Sequence, residues 1–262
     1  MLDAMRWLMV LLLVPAIAVA APRDDVNALP EIATVKKGRV TVVVRGAIAR
    51  AKQREMVQLV EQIITDTTAR FGIAKGDPHP AVTLCLFEDA ASYARVAGAF
   101  GPLPSDWGFY LPAHRIAFAN IGVSVGNLRH ELAHPMVDDD YRKIPAWLGE
   151  GVGSLYGTAR WKRDRFEFLV NYRLRDVQKA IRDNKLPTFA ELAGSTSREV
   201  HGNEGMIYYG MARYVLLFAE RQGKLEKLYA ELRDADKKDH ATVLAKHVDE
   251  RAFLAWVKKL RY

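Results

Sequence analysis

The pentad His130-Glu131-Leu132-Ala133-His134, followed by Glu150 within Trp147-Leu148-Gly149-Glu150-Gly151, decides how this chain is read. Histidines four apart on a helix project from one side, close enough for both imidazoles to hold one Zn²⁺. Glu131, between them, is then placed to act as a general base on water at the metal. Two nitrogens and one oxygen, from His130, His134 and Glu150, leave a fourth tetrahedral position open, which separates a catalytic zinc from a structural one.

Helix phase is an independent check on that pattern. Val125, Leu128 and Leu132 recur at i, i+3 and i+7 and predict the core-facing stripe. At about 100° per residue His130 lies about 200° from Leu128, so the histidines face away from the core, towards a cleft. On the next predicted helix, Pro145–Tyr156, Leu148, Val152 and Leu155 form the buried stripe and Glu150 lies opposite Leu148. Gly149, Gly151 and Gly153 each disfavour that helix by roughly 1 kcal/mol relative to alanine. Their presence makes sense if the helix must lie close against the pentad helix. Ser154 shares the Glu150 face and is a candidate partner for Glu150 or His130. Pro135 removes a backbone N–H directly after His134, so the pentad helix is expected to bend or end there. The remaining histidines, His79, His114, His201, His240 and His247, lack such spacing and read as structural or surface residues, with His201 the one to watch.

Outward from the pentad, strands come first and helices later. Ile32–Val35 and Arg39–Val44 predict a hairpin, and Gln53–Phe71 a helix. Ala81–Phe87 is an apolar run expected inside a sheet. Glu88–Ala97 predicts a short helix, and Trp107–Leu111 and Arg115–Asn120 two strands. Gly76–Pro80 and Gly101–Ser105 read as loops. Helices are expected over Val125–Val137, Phe168–Asp183, Glu204–Arg221, Leu225–Arg233 and Arg251–Leu260. The order predicts an α+β fold: an N-terminal mixed α/β lobe (31–140) with a small twisted sheet and the pentad helix, and a C-terminal helical lobe (141–262) supplying Glu150.

The first residues are of another kind. Met1–Arg6 carries one cation, Trp7–Val19 is almost wholly apolar, and Ala18-Val19-Ala20 is a small-residue cleavage signal. That order predicts a secretory signal peptide over 1–21, cut near Ala20 or Ala21, with no stable membrane insertion afterwards. Residues 22–30 read as a flexible leader. The net charge of +7 survives cleavage, because Asp3 and Arg6 cancel. Cys85 is the single cysteine, which excludes an intrachain disulfide and suits a periplasmic or secreted bacterial protein. The basic cluster Arg160–Arg165 reads as a solvated face. No nucleic-acid motif accompanies it, so nucleic acid is not an expected partner.

At these residues the chain resembles the gluzincin zinc metallopeptidases, the thermolysin-like branch. Trp147-Leu148-Gly149-Glu150-Gly151 resembles the W-x-x-E-G segment of the peptidase MA-like families. Tyr208-Tyr209-Gly210-Met211-Ala212 and Phe253–Leu260 add weaker likeness, and the whole spans roughly Trp107 to Leu260. The resemblance implies a zincin-like fold, Zn²⁺ on His130, His134 and Glu150, Glu131 as general base, and a peptide or protein substrate. It also implies a tyrosine steadying the oxyanion. Ile207, Met211, Tyr214 and Phe218 make the buried stripe of that helix, so Tyr209, opposite them, is preferred and Tyr208 stands second. The Arg115–Asn120 strand is expected to pair with an extended peptide. Two other classes compete: a zinc-binding protein that recognises peptides or cell-wall components without turnover, and a structural or interaction domain carrying the motif by accident.

Overall fold

The computed structural model describes residues 22–72, 78–202 and 205–262. The expected signal peptide and parts of the Gly76–Pro80 loop and of the Glu204–Arg221 helix lie outside them. The N-terminal part comprises α1 (Pro22–Ala28), β1 (Glu31–Lys37), β2 (Val40–Gly46), α2 (Arg50–Phe71), β3 (Val82–Phe87), α3 (Ala90–Gly98), β4 (Gly108–Leu111), β5 (Ile116–Asn120) and α4 (Val125–Asp140). There follow α5 (Ala146–Gly157), β6 (Ala159–Lys162), β7 (Arg165–Phe168), α6 (Leu174–Arg182), α7 (Phe189–Gly194), α8 (Ser197–His201), α9 (Gly205–Arg221), α10 (Leu225–Asp234), α11 (His240–His247) and α12 (Glu250–Lys259). The fold is α+β.

The strands form a mixed five-stranded sheet in the order β1-β2-β3-β5-β4. The β1/β2 and β4/β5 pairs are antiparallel, whereas β3 runs parallel to both its neighbours. Alternation along β3 and β5 sorts two cores. Leu84, Leu86, Ala117 and Ala119 face the main core with α2, α4, α5 and α9. Cys85, Phe87, Ile116 and Phe118 face a smaller core under α1 and α3. Burial on both faces is why β3 reads as an apolar run broken only by Thr83. Burial also pushes the Cys85 thiol up to about 12, leaving it an inert thiol.

Several expectations are corrected. Residues 22–30 are not a flexible leader: 22–28 are helical, Val26 and Leu29 are buried, and Arg45 Nη1 donates to the carbonyls of Asn27 and Leu29. The strand at 115–120 is not available for pairing, because β5 lies between β3 and β4; the edge strands are β1 and β4. Helix α4 does not end at Pro135 but continues to Asp140. Its last turn is held from outside: Arg115 grips Asp139 with both Nη atoms, at 2.6 and 2.8 Å, and Arg233 holds Asp140 at 3.1 Å. Phe168 ends a strand rather than starting a helix. The β6/β7 hairpin turns through Arg163 (φ 50°) and Asp164 (φ 64°), two left-handed residues in a two-residue loop, the signature of a type I′ turn. Its Arg160, Arg163 and Arg165 are exposed, as the solvated-face reading expected.

A buried polar knot joins the sheet side to the helices. Asp66 accepts from Arg70 Nε (2.8 Å), from the Tyr156 hydroxyl (2.6 Å) and from the Phe166 N–H (3.0 Å). Arg70 also donates to the Phe166 carbonyl, so α2, α5 and β7 meet at one satisfied ion pair. Removing one partner leaves the other charge buried and uncompensated. Asp66→Ala is therefore expected to cost about 3–5 kcal/mol in urea unfolding. A loss under 1 kcal/mol would show that the knot is dispensable.

Candidate metal centre

Helix α4 starts one short loop after β5, capped by Ser124, whose Oγ accepts from Gly126 N at 3.0 Å. Asn127 Nδ2 bonds the Asn120 carbonyl at 2.9 Å, tying the first turn back to the strand. Leu128 and Leu132 are fully buried, which fixes the helix rotation and turns His130 and His134 towards α5.

Helix α5 lies against them because its contact face lacks side chains. A Cβ on Gly153 would stand 3.0 Å from His130 Nε2, and one on Gly126 would stand 2.3 Å from the Gly157 carbonyl oxygen. Gly151 serves a different neighbour, α9, where a Cβ would meet Leu216 Cδ1 at 2.8 Å. The C-terminal carbonyls of α5 are held by two arginines from its neighbours. Arg129 donates to the carbonyls of Tyr156 and Gly157, and Arg213 to that of Ser154. Cations there also complement the helix dipole.

Glu150 Oε2 sits 3.2 Å from His130 Nε2 and 3.7 Å from His134 Nε2. Ligands at about 2.0–2.2 Å from a tetrahedral ion stand roughly 3.4 Å apart, so these separations are close to those of an ion's ligand shell. The three donor atoms all lie within 4.8 Å of one another. Donor chemistry and spacing fit a divalent metal.

The other carboxylate oxygen is engaged elsewhere. His201 Nε2 lies 2.9 Å from Glu150 Oε1, while its Nδ1 meets Ser197 at the carbonyl (2.9 Å) and hydroxyl (3.0 Å). Burial and the Glu150 carboxylate raise the Tyr209 phenol well above its ordinary range, and its ring meets that of His201 edge-on. Tyr208 and Tyr209 both pack against the main core. His201, expected by default to be structural, thus belongs to the site. Among the described residues it is His201, not Ser154, that holds Glu150 from outside, with Tyr209 beside it. Two sequence signals pointed to α8: Thr196 and Glu199 form a capping box that starts it, and His201 ends it.

The electrostatics follow from burial around these contacts. Burial raises the affinity of Glu150 for a proton, but His134 and the hydrogen bonds from His130 and His201 outweigh it and hold the carboxyl well below its ordinary range. Burial pushes His134 down to about 4, so its ring is neutral, the form that binds metal. His130 moves up: burial lowers it, but Glu131 and Glu150 outweigh that. Glu131 is buried, which pushes its carboxyl up to about 8 against the pull of His130 and with the help of Glu150. Its side chain lies against Gly108, where a Cβ would fall 2.7 Å from Glu131 Cγ; the start of edge strand β4 and the pentad glutamate therefore meet.

No protein-family model matches the chain, and a search of curated proteins returned no match. Among the described residues no helix is long and apolar enough to cross a membrane.

Gly153 offers the sharpest local test. A methyl there forces the His130 ring to move, and disturbing the support of a ligand typically weakens metal binding about 10–100-fold. Gly153→Ala is expected to lower zinc affinity by at least tenfold in a competition titration against a chelator, with the circular dichroism spectrum unchanged. Equal affinity would show that the ring position is irrelevant to binding.

Proposed function

We propose that the chain is an exported zinc metallopeptidase of gluzincin type, with a zincin-like arrangement of sheet, pentad helix and third-ligand helix. One observation carries this reading: a carboxylate oxygen stands 3.2 and 3.7 Å from two imidazole nitrogens, beside a buried glutamate. A bound Zn²⁺ would be held by His130, His134 and Glu150, and supplies a Lewis acid that polarises a carbonyl and acidifies water.

The chain's own residues do the rest. Glu131 accepts the proton of the attacking water and passes it to the leaving amine. Burial makes its carboxylate more basic, which favours taking the proton from water. Tyr209, whose ring stands between His201 and Arg173, is the candidate to steady the substrate's developing oxyanion. The free edge of β4, starting at Gly108 beside Glu131, is the strand that supports pairing with an extended peptide. His201 keeps Glu150 oriented, so that Oε2 faces the histidines. The apolar stretch and cleavage signal at residues 1–21 support a periplasmic or secreted location.

Two variants test the chemistry on a proteome-derived peptide library, with zinc measured on every sample. Glu131→Gln is expected to keep its zinc and lose turnover. Tyr209→Phe is expected to keep zinc and lose about 10²–10³ in kcat, the usual effect of removing one oxyanion donor. Full activity in Glu131→Gln would remove the proposed base. Zinc-loaded wild-type protein that cleaves nothing would instead support recognition without turnover.

A further inference from the structure

Arg173 sits at the start of α6 and is only 9% exposed. A buried guanidinium carries five N–H donors, which must find acceptors or remain costly. The neighbouring buried arginines meet most of that demand within the protein, although Arg213 Nε has no partner. Arg70 uses Asp66 and the Phe166 carbonyl, Arg129 the carbonyls of Tyr156 and Gly157, and Arg213 those of Ser154 and Leu169. Arg173 differs. Its one side-chain hydrogen bond among the described residues runs from Nη1 to the thioether of Met206 at 3.4 Å, a weak acceptor. No carboxylate pairs with it among the described residues.

Its surroundings are those of a binding site. The guanidinium carbon lies 5.1 Å from the ring centroids of both Tyr172 and Tyr209. Gly210 makes this approach possible, because a Cβ there would fall 2.6 Å from Val177 Cγ2 and push α6 off α9. Tyr172 and Met206 are themselves exposed, so solvent reaches the rim of the site. The Tyr209 ring in turn meets that of His201, whose Nε2 lies 2.9 Å from Glu150, so Arg173 stands beside the metal centre.

We propose that Arg173 binds a carboxylate of the substrate, against the rings of Tyr172 and Tyr209, and so directs the enzyme to peptides carrying a carboxylate next to the scissile bond. A guanidinium fork matches a carboxylate through two parallel hydrogen bonds, and aromatic faces hold it flat for that contact. The carboxylate is either a free C-terminus or an acidic side chain. The substrate class rests on the peptidase reading; the anion site itself does not.

The test has two parts. Peptide pairs are compared in which a free C-terminus is replaced by its amide, or an internal Glu by Gln. In wild type the carboxylate member of at least one pair is expected to be cleaved at least tenfold faster in kcat/KM. Preference in the first pair identifies a C-terminal carboxylate, and in the second an acidic side chain. Arg173→Met is expected to bring that pair to parity, and Arg173→Lys to retain part of the preference. No preference in wild type would overturn the proposal. So would an equal loss on both members of each pair in Arg173→Met, the mark of a residue that only positions Tyr209.

The second part does not use turnover. Calorimetry on Glu131→Gln protein compares 3-phenylpropanoate with 3-phenylpropanamide. The acid is expected to bind at least tenfold tighter, and adding Arg173→Met is expected to abolish the difference. That result without cleavage of any peptide keeps the anion site and removes the peptidase reading. Cleavage without carboxylate preference does the reverse.

Discussion

The carboxylate of Glu150 draws four helices to one point. One oxygen faces His130 and His134 of α4, the other is bonded by His201 of α8, and Tyr209 of α9 reaches the same group. A buried carboxylate is expensive unless its lone pairs are met, and here His130 and His201 stand within hydrogen-bond distance of it. The constraint fixes geometry as well as energy. Glu150 reaches the histidines only if α5 lies close against α4, which the bare faces of Gly126 and Gly153 permit.

The rest of the molecule keeps that contact in place. Arg129 and Arg213 hold the end of α5, and the Asp66 knot fixes Tyr156 of the same helix to α2 and β7. Helix α9 is buried almost all round from Gly210 to Ala219, so it is the axis of the helical part and a rigid mount for Tyr209. Arg115 and Arg233 hold the far end of α4 beyond Pro135. The proline costs one backbone hydrogen bond, and two ion pairs in the following turn offset the loss of support. His134 therefore keeps its place although the local sequence argues for a break.

The grouping of the metal-ligand candidates was legible because helix phase and ligand chemistry point the same way at His130, His134 and Glu150. The interior strand β3 was legible from its apolar run. What escaped depended on partners distant in sequence. The β6/β7 hairpin turns on Arg163-Asp164, without the Asn-Gly pair that announces a type I′ turn. Helix α1 has too few apolar residues to declare itself, and Val26 and Leu29 gain their burial from the core under α1 and α3. The supporting role of His201 had a local signal in the Thr196–Glu199 capping box, but nothing local showed that α8 would face Glu150. Arg173 had no signal at all, since its distinction lies in the acceptors it lacks.

The central claim is that Glu150 joins the two pentad histidines in one zinc centre. Zinc-edge X-ray absorption on protein purified without chelators tests it most directly, with Glu150→Ala alongside. One zinc per chain is expected in wild type, with only nitrogen and oxygen neighbours at about 2.0–2.2 Å and a histidine scattering pattern fitting two imidazoles. Loss of one oxygen neighbour, or of the zinc itself, is expected in Glu150→Ala. A spectrum identical in the two proteins, or a wild-type sample that binds no zinc, would contradict it.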